Sequence, residues 1–181
     1  QQIYPKFGYA FSLNHKDQLD GRGYQFLGSG NLYLPTVFKT HSIVLSGSFQ
    51  QVDTSIVLFT NRFANARGYD DYYFSRMWRG SANYHLPLVY PDWGFANIFY
   101  LMRICGNAFY DFSRVYSNDK LRSHDFRSVG GELFFETKWW NQLPITVGLR
   151  LSHLLDNDIT TSKPKGSNVF EIVLPVSIIP R

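Results

Sequence analysis

Apolar residues alternate with small, polar or charged residues along most of this chain, and this period of two constrains the fold more than any other feature. Residues 145–152 and 169–178 show it most clearly. A β-strand places successive side chains on opposite faces, so each such segment has one apolar face and one polar face. The repeated segments reach about 9–11 residues, the length at which a tilted strand crosses a bilayer. The sequence therefore predicts an all-β fold, an antiparallel transmembrane β-barrel.

The alternation divides the chain into about eight strands. They are predicted at residues 2–13, 24–34, 42–51, 76–89, 96–116, 126–139, 145–152 and 169–178. No segment keeps a helical period over enough turns to compete with this interpretation. The length suits one domain, so residues 1–181 are predicted to form a single transmembrane barrel domain or half-barrel.

Alternation alone does not show which face points inward, because a soluble antiparallel barrel or sandwich has the same pattern. The polar face carries full charges such as Arg103, Asp111 and Glu132. A dry core does not accept such charges unless they are paired. The apolar face keeps its character along most of each long strand. We therefore expect the apolar side chains to face lipid and the charged ones to lie inside the barrel.

The connections between the predicted strands alternate in length. Short ones cover residues 35–40, 90–94 and 140–143, and long polar ones cover residues 14–23, 53–74, 117–125 and 156–168. Outer-membrane barrels show this asymmetry, with tight periplasmic turns and longer outer loops. Trp93, Trp139 and Trp140 fall at strand ends, where amphipathic rings favour the membrane interface. The predicted localisation is the bacterial outer membrane, with its lipid as a partner.

Composition excludes several other classes of protein. No apolar run approaches the roughly 18 residues of a membrane helix. The net charge of +4 is spread out, and Lys and Arg do not cluster with aromatics, so nucleic acid is not an expected partner. A single cysteine, Cys105, allows no internal disulfide. The amino terminus has no basic segment followed by an apolar core, so an exported chain would be a mature form or a fragment.

The longest predicted loop contains Arg67-Gly68-Tyr69 within residues 61–69, with five predicted strands still to follow. This arrangement resembles the outer-membrane assembly and secretion family, or bacterial surface antigen family, which includes BamA, TamA and the two-partner secretion translocators. The family signature is an Arg-Gly-aromatic tripeptide in a loop that folds back into the barrel lumen. Residues 80–88 resemble the strand after that loop. Residues 108–112 resemble the next strand, whose acidic residue, here Asp111, meets the loop arginine.

The resemblance implies that Arg67 pairs with Asp111 on the barrel wall. A charge in an enclosed lumen is costly without a partner, and Asp111 faces inward by strand parity and can bind a guanidinium through both oxygens. Gly68 would allow a tight turn or a close approach to the wall. Tyr69 would pack among inward aromatics such as Phe109. The alternative is that Arg67 is one more solvated loop charge.

The chain also departs from the family pattern. The family usually has an acidic residue at the position of Asn83, so Arg67 is expected to have Asp111 but no second carboxylate. The family's usual terminal aromatic residue, its docking repeats and its first eight or so strands are absent. The resemblance therefore covers the carboxy-terminal half of a family barrel, and the chain is expected to be a fragment or part of a larger polypeptide. Eight strands either close into a narrow barrel or need partner strands at both edges.

The sequence does not predict an enzyme. Its histidines, His15, His41, His85, His124 and His153, lie on different predicted strands and loops without metal-ligand spacing. His85 faces the lumen beside Ser81 and is expected to bond to its neighbours rather than to act as a base. Glu132 and Glu136 are interpreted as lumen charges that pair with Arg103, Arg127 and Arg150. No catalytic residue, metal or cofactor is predicted.

The resemblance implies a function in inserting or passing other proteins at the outer membrane. The partners would be client proteins, and also further barrel strands or accessory subunits. The implied mechanism is templating on an exposed strand edge, with a lumen gated by the Arg67 loop. A second hypothesis is a passive pore or an anchor barrel fused to a catalytic or binding domain. A third is a small-molecule enzyme that hydrolyses lipid.

Overall fold

A computed structural model describes residues 7–17, 23–38, 40–53, 63–71, 74–116, 123–140, 142–159 and 161–174. Within these ranges the chain forms one antiparallel sheet of nine strands and no helix. The strands are β1 (Gly8–Asp17), β2 (Tyr24–Pro35), β3 (Ser42–Val52), β4 (Arg76–Val89), β5 (Trp93–Phe95), β6 (Phe99–Tyr116), β7 (Ser123–Trp139), β8 (Leu143–Leu154) and β9 (Asn168–Val173). The predicted all-β class is confirmed. None of the described residues belongs to a helix long and apolar enough to cross a membrane.

The strands form a meander in which each long strand pairs with the next one along the chain. The order across the sheet is β1-β2-β3-β4-β6-β7-β8-β9, and the short β5 pairs with β6. Strands β1 and β9 lie at opposite edges of the described sheet, which is therefore not closed. Residues of β2–β4 and β6–β9 line one cavity of about 800 Å³, so the sheet curves around it. We call the face toward this cavity the inner face.

The eight long strands match the predicted ones, with differences at their ends. β1 continues to Asp17 because residues 14–17 pair with residues 24–27 of β2. Residues 2–6 of the first predicted strand and 175–178 of the last lie outside the described residues. The predicted short turn at residues 90–94 contains the start of β5. The fifth predicted strand begins at Phe99 rather than residue 96, because Ala96 and Asn97 turn the chain with φ of 49° and 55°.

A β-bulge in β6 corrects one predicted face. Strict alternation along the strand predicted at residues 96–116 places Tyr100 on the same face as Ile104, but the register with β7 shifts between Leu101 and Arg103. A bulge inserts one unpaired residue and reverses the alternation beyond it. Tyr100 therefore lies opposite Lys138, on the side of Glu136.

The two faces of the sheet reverse the distribution of a soluble protein. Large apolar side chains of the outer face are exposed, among them Phe11, Leu45, Leu133, Leu151, Phe170 and Ile172. Polar side chains of the inner face are buried, among them Gln25, Gln50, Asn107, Asp111, Glu132 and Ser152. Soluble domains bury their apolar residues and rarely bury charges fully. The apolar face of the strands is thus the exposed one, and the inner face is polar.

A small apolar cluster lies at the end of the sheet that bears the long connections. Its buried members are Ala66, Tyr69, Met77, Val115, Phe126 and Leu154. Four of these belong to strands β4, β6, β7 and β8, whereas Ala66 and Tyr69 come from the connection between β3 and β4. The cluster therefore fixes part of that connection on the inner face of the sheet.

Candidate functional site

Residues 63–71 form a loop, here called the arginine loop, that folds back onto the inner face. Gln50 of β3 accepts a hydrogen bond from the Phe63 amide at 3.1 Å and donates one to the Phe74 carbonyl at 3.0 Å. Asn65 closes the loop internally through the Asp70 carbonyl and the Asp71 carboxylate. Local side chains thus bond much of the loop backbone and hold its shape.

The side chain of Arg67 points from the arginine loop to Asp111 in the middle of β6. Its Nε and Nη2 donate to the two carboxylate oxygens of Asp111, each at 2.8 Å. The Arg67 backbone N–H donates to the same carboxylate at 3.0 Å. The Asp111 side chain is 0% exposed and that of Arg67 is 12% exposed. The predicted bidentate contact is confirmed, and the alternative of a solvated loop charge is wrong.

Arg67 also donates hydrogen bonds to three further residues of the inner face. Its Nη1 donates to Glu132 of β7 at 3.1 Å. Its Nη2 donates to Asn83 at 2.6 Å and to Ser81 at 3.1 Å, both in β4. The expectation that Arg67 has no second carboxylate is therefore wrong, because Glu132 supplies it. Asn83 contacts the arginine as a neutral acceptor.

The ring of Phe109 stacks against the guanidinium of Arg67. The Cζ of Arg67 lies 3.7 Å from the centre of the Phe109 ring, close enough for a cation–π contact. Phe109 lies across Gly130 of β7, where a Cβ would come within 2.7 Å of the ring and would also clash with the Leu151 carbonyl. The missing side chain of Gly130 thus makes room for the ring that carries Arg67.

Gly68 has both properties that the sequence suggested. Its φ is +87°, a left-handed conformation that L side chains rarely adopt. A Cβ at this position would lie 2.7 Å from Cβ of Ser152 and 3.0 Å from Cδ2 of Leu154, both in β8. The predicted turn and close approach to the wall are confirmed.

Tyr69 contacts a different ring from the one predicted. It packs against Phe126, with ring centres 4.9 Å apart, whereas Phe109 lies beneath Arg67. The Tyr69 hydroxyl donates to the Arg127 carbonyl at 2.8 Å and accepts from the Asp156 amide at 3.1 Å. Burial raises the pKa of Tyr69, so the hydroxyl remains a neutral donor at physiological pH.

The charged residues of the inner face around Arg67 compensate one another. Asp111 also accepts from Ser81 at 2.7 Å and lies 3.5 Å from Arg79. Glu132 also accepts from Asn107 and from Arg150, each at 2.6 Å. Buried ions persist when each has opposite charges and hydrogen bonds around it, which is the arrangement here.

The other predicted lumen charges divide into two groups. Arg103 pairs with Glu136 at 2.6 Å and Arg150 with Glu132, as expected. Arg127 does not join them. It binds Asp156 through two hydrogen bonds of 2.8 Å, and its side chain is 45% exposed. By strand parity its side chain leaves the sheet on the side opposite Ser128, so this part of the prediction is wrong.

The remaining predicted positions agree with the fold. His85 and Ser81 both line the cavity. Trp93 lies in β5, Trp139 ends β7, and Trp140 follows it directly. Sequence reasoning missed the roles of Gly130 and Ser152, although the paired glycines at 130 and 131 inside a strand were a usable signal of close packing.

The part of the chain that the structure describes brings no three His, Cys, Asp or Glu side chains together as a metal site. What the site can do is bind: it holds a loop against four neighbouring strands. Comparisons with protein-family models, curated proteins and solved structures gave no match to this chain.

Proposed function

We propose that this chain forms part of an outer-membrane β-barrel that inserts or passes other proteins, as its resemblance to the assembly and secretion family implies. The observation that carries the proposal is the seating of Arg67, which makes six hydrogen bonds to the wall. The motif, the inward loop and the acidic partner are the three features on which the resemblance depends.

The exposed apolar face supports a membrane location. Exposed apolar surface of this extent indicates contact with lipid or with another protein. Its side chains alternate with a polar inner face along every long strand, as expected for a barrel wall between lipid and water. Aromatic rings extend this face at the end of the short connections. Trp93, Phe99, Trp139 and Trp140 form a continuous series with ring centres 5.3–6.2 Å apart. Such rings favour the membrane interface.

The open edges favour a larger barrel over a narrow one. An eight-stranded barrel fills its interior with side chains. Here both faces of β1 are exposed, including the inner positions Ala10 and Ser12. In lipid, the unpaired backbone groups of β1 and β9 need partners. We therefore propose that further strands complete the cylinder at both edges.

The arginine loop provides the mechanism, which needs no covalent chemistry. Arg67 contacts β4, β6 and β7, Gly68 contacts β8, and Tyr69 contacts β7 and the segment after β8. One tripeptide thus ties together four consecutive strands and occupies the inner face. Its displacement would both widen the lumen and relax the wall, which are the changes that passage or insertion of a protein requires.

The test is reconstitution of the protein in phospholipid vesicles with an unfolded outer-membrane barrel protein as client. The measurement is the rate at which the client becomes protected from protease. We expect acceleration over empty vesicles, loss of most of it in Arg67→Ala, and retention in Arg114→Ala, which removes an exposed bidentate pair with Asp125. No acceleration by the unmodified protein overturns the proposal. Ion conductance without acceleration would identify the passive pore or anchor instead.

A further inference from the structure

The ion pairs of the Arg67 site continue beyond it to the edge of the sheet. Glu132 accepts Arg67 on Oε2 at 3.1 Å and Arg150 on Oε1 at 2.6 Å. Arg150 donates in turn to Glu171 of β9 at 3.2 Å. The Glu132 carboxylate is therefore shared by two arginines. Each of these arginines also binds a second carboxylate, Asp111 for Arg67 and Glu171 for Arg150.

Strand register produces this arrangement. Glu132 lies directly opposite Arg150 in the β7–β8 ladder, and Arg150 lies directly opposite Glu171 in the β8–β9 ladder. Directly opposed side chains on one face of a sheet are about 5 Å apart, so long charged side chains meet across the strands. The three residues form one row that begins at the arginine loop and ends at β9.

Strand β9 is the least supported of the long strands. It pairs with β8 over six residues, and it is an edge of the described sheet. Its outer side chains Phe170 and Ile172 are 63% and 66% exposed. On the inner side Val169 packs against the apolar cluster, and Glu171 binds Arg150. An edge strand this short depends strongly on each side-chain contact.

We propose that Arg150 is a positioning residue that couples the seating of the arginine loop to the pairing of edge strand β9. Its role in the membrane rests on the function proposed above. When Arg67 is seated, it neutralises part of the negative charge of Glu132 and also repels Arg150. Both effects favour the contact of Arg150 with Glu171. When Arg67 leaves, Glu132 attracts Arg150 alone and draws it from Glu171. Pairing of β9 then weakens.

The coupling must act in both directions, because linkage between two sites is reciprocal. Loss of Glu171 leaves Arg150 to Glu132 alone, and Glu132 then attracts Arg67 less. The opposing view treats the ion pairs as independent, so that each change acts on its own strand. The two views differ in the effect of one site on the other, and in whether Arg150 is needed for that effect.

The experiment is hydrogen exchange of the full chain in detergent micelles, read at the amides of 169–173 and of 63–71. We expect Arg67→Ala to lower the protection of the β9 amides about tenfold, and Glu171→Gln to lower that of the arginine loop by a similar factor. In an Arg150→Met background, Arg67→Ala should leave the protection of the β9 amides unaltered, and Glu171→Gln should leave that of the arginine loop unaltered. Glu136→Gln is the control, because Glu136 pairs with Arg103 on the same wall but outside this row.

Arg150→Lys is a second variant for the case that Arg150→Met does not fold. Lysine keeps the charge but presents a point charge rather than a fork, so it should retain β9 while reducing the cross-effect. Equal effects of Arg67→Ala on β9 with and without Arg150, or no effect at all, would overturn the proposal. Exchange in micelles does not depend on client insertion, so failure of the vesicle assay and failure of this coupling are separate results.

Discussion

Two hydrogen bonds of 2.8 Å join the guanidinium of Arg67 in a loop to the carboxylate of Asp111 in the middle of β6. The residues are 44 positions apart, and the contact brings the loop across the inner face of the sheet. Because the Asp111 side chain is fully buried, removing either partner leaves the other with a single weaker ion pair, Asp111 with Arg79 at 3.5 Å or Arg67 with Glu132 at 3.1 Å. This pair therefore decides whether the loop is seated.

Asp111→Asn should release the arginine loop. Asparagine keeps the shape of the side chain but leaves Arg67 with Glu132 as its remaining carboxylate, which should cost about 3 kcal/mol of seating free energy. The measurement is the rate of tryptic cleavage after Arg67 in the folded protein, which we expect to rise. Asp125→Asn is the matched control, because Asp125 forms the same bidentate pair with an arginine at an exposed site. Equal cleavage in the two variants would show that Asp111 does not hold the loop.

Gly68→Ala should destabilise the protein more than Gly166→Ala. The two glycines have φ of +87° and +86°, so alanine meets the same backbone strain, of about 1 kcal/mol, at both. A Cβ at Gly166 meets nothing within 4 Å, whereas one at Gly68 collides with Ser152. Overpacking should add about 1–3 kcal/mol at Gly68, measured as the free energy of unfolding in urea. Ser152→Gly should recover part of that difference. Equal losses at the two glycines would mean that the loop does not touch β8.

Gly130→Ala should disturb Arg67 without touching it. The added methyl group would clash with the Leu151 carbonyl oxygen and would lie 2.7 Å from the ring of Phe109, which stacks on the guanidinium. We expect a loss of about 1–3 kcal/mol in stability and faster tryptic cleavage after Arg67. The neighbouring Gly131→Ala is the control, since its nearest contact is 3.8 Å away. Because the clash with the Leu151 carbonyl alone would lower the stability, the cleavage rate decides: if it does not rise above that of Gly131→Ala, Phe109 does not position the arginine.

The segment after β8 should loosen in acid. The hydrogen bonds from Arg127 lower the pKa of the Asp156 carboxyl below its ordinary value. A depressed pKa contributes stability that is present above the unfolded value, about 3.9, and is lost as the pH falls through the folded value. Wild type should thus unfold at higher urea than Asp156→Asn at pH 7. The difference should begin to shrink near pH 4 and should disappear only below the folded pKa of Asp156. A difference that stays constant with pH would contradict the ion pair.

The sequence predicts the long strands because successive side chains of a strand point to opposite faces. This local property of the backbone appears in the sequence as alternating apolar and polar residues. It does not predict β5 or the start of β6, because Ala96 takes a left-handed conformation that its residue type does not favour, and Asn97 alone is only a weak turn signal. The bulge at Met102 is missed because it is set by the pairing of β6 with β7 and has no pattern in the local sequence, and the face of Tyr100 is missed with it.

The site could be predicted in part. Motif and strand parity identify Arg67 and Asp111. Parity also groups Glu132 with lumen arginines that include Arg150, but it does not predict the contact of Glu132 with Arg67. The partnership of Glu132 with Arg67 and Arg150 depends on the register between β6, β7 and β8, which is set by pairing over whole strands. Tyr69 and Phe126 likewise meet through tertiary packing that no local pattern encodes.

The central claim is that the exposed apolar face meets lipid, and a spin-label scan of β3 tests it most directly. Nitroxides placed singly from residue 43 to 49, with Cys105 replaced by serine, are compared for collision with oxygen and with an aqueous nickel complex in vesicles. We predict a period of two, with high oxygen access at Leu45 and Phe49 and high nickel access at Ser46 and Ser48. Equal nickel access at all positions, or a monomer that stays soluble without detergent, would contradict the account.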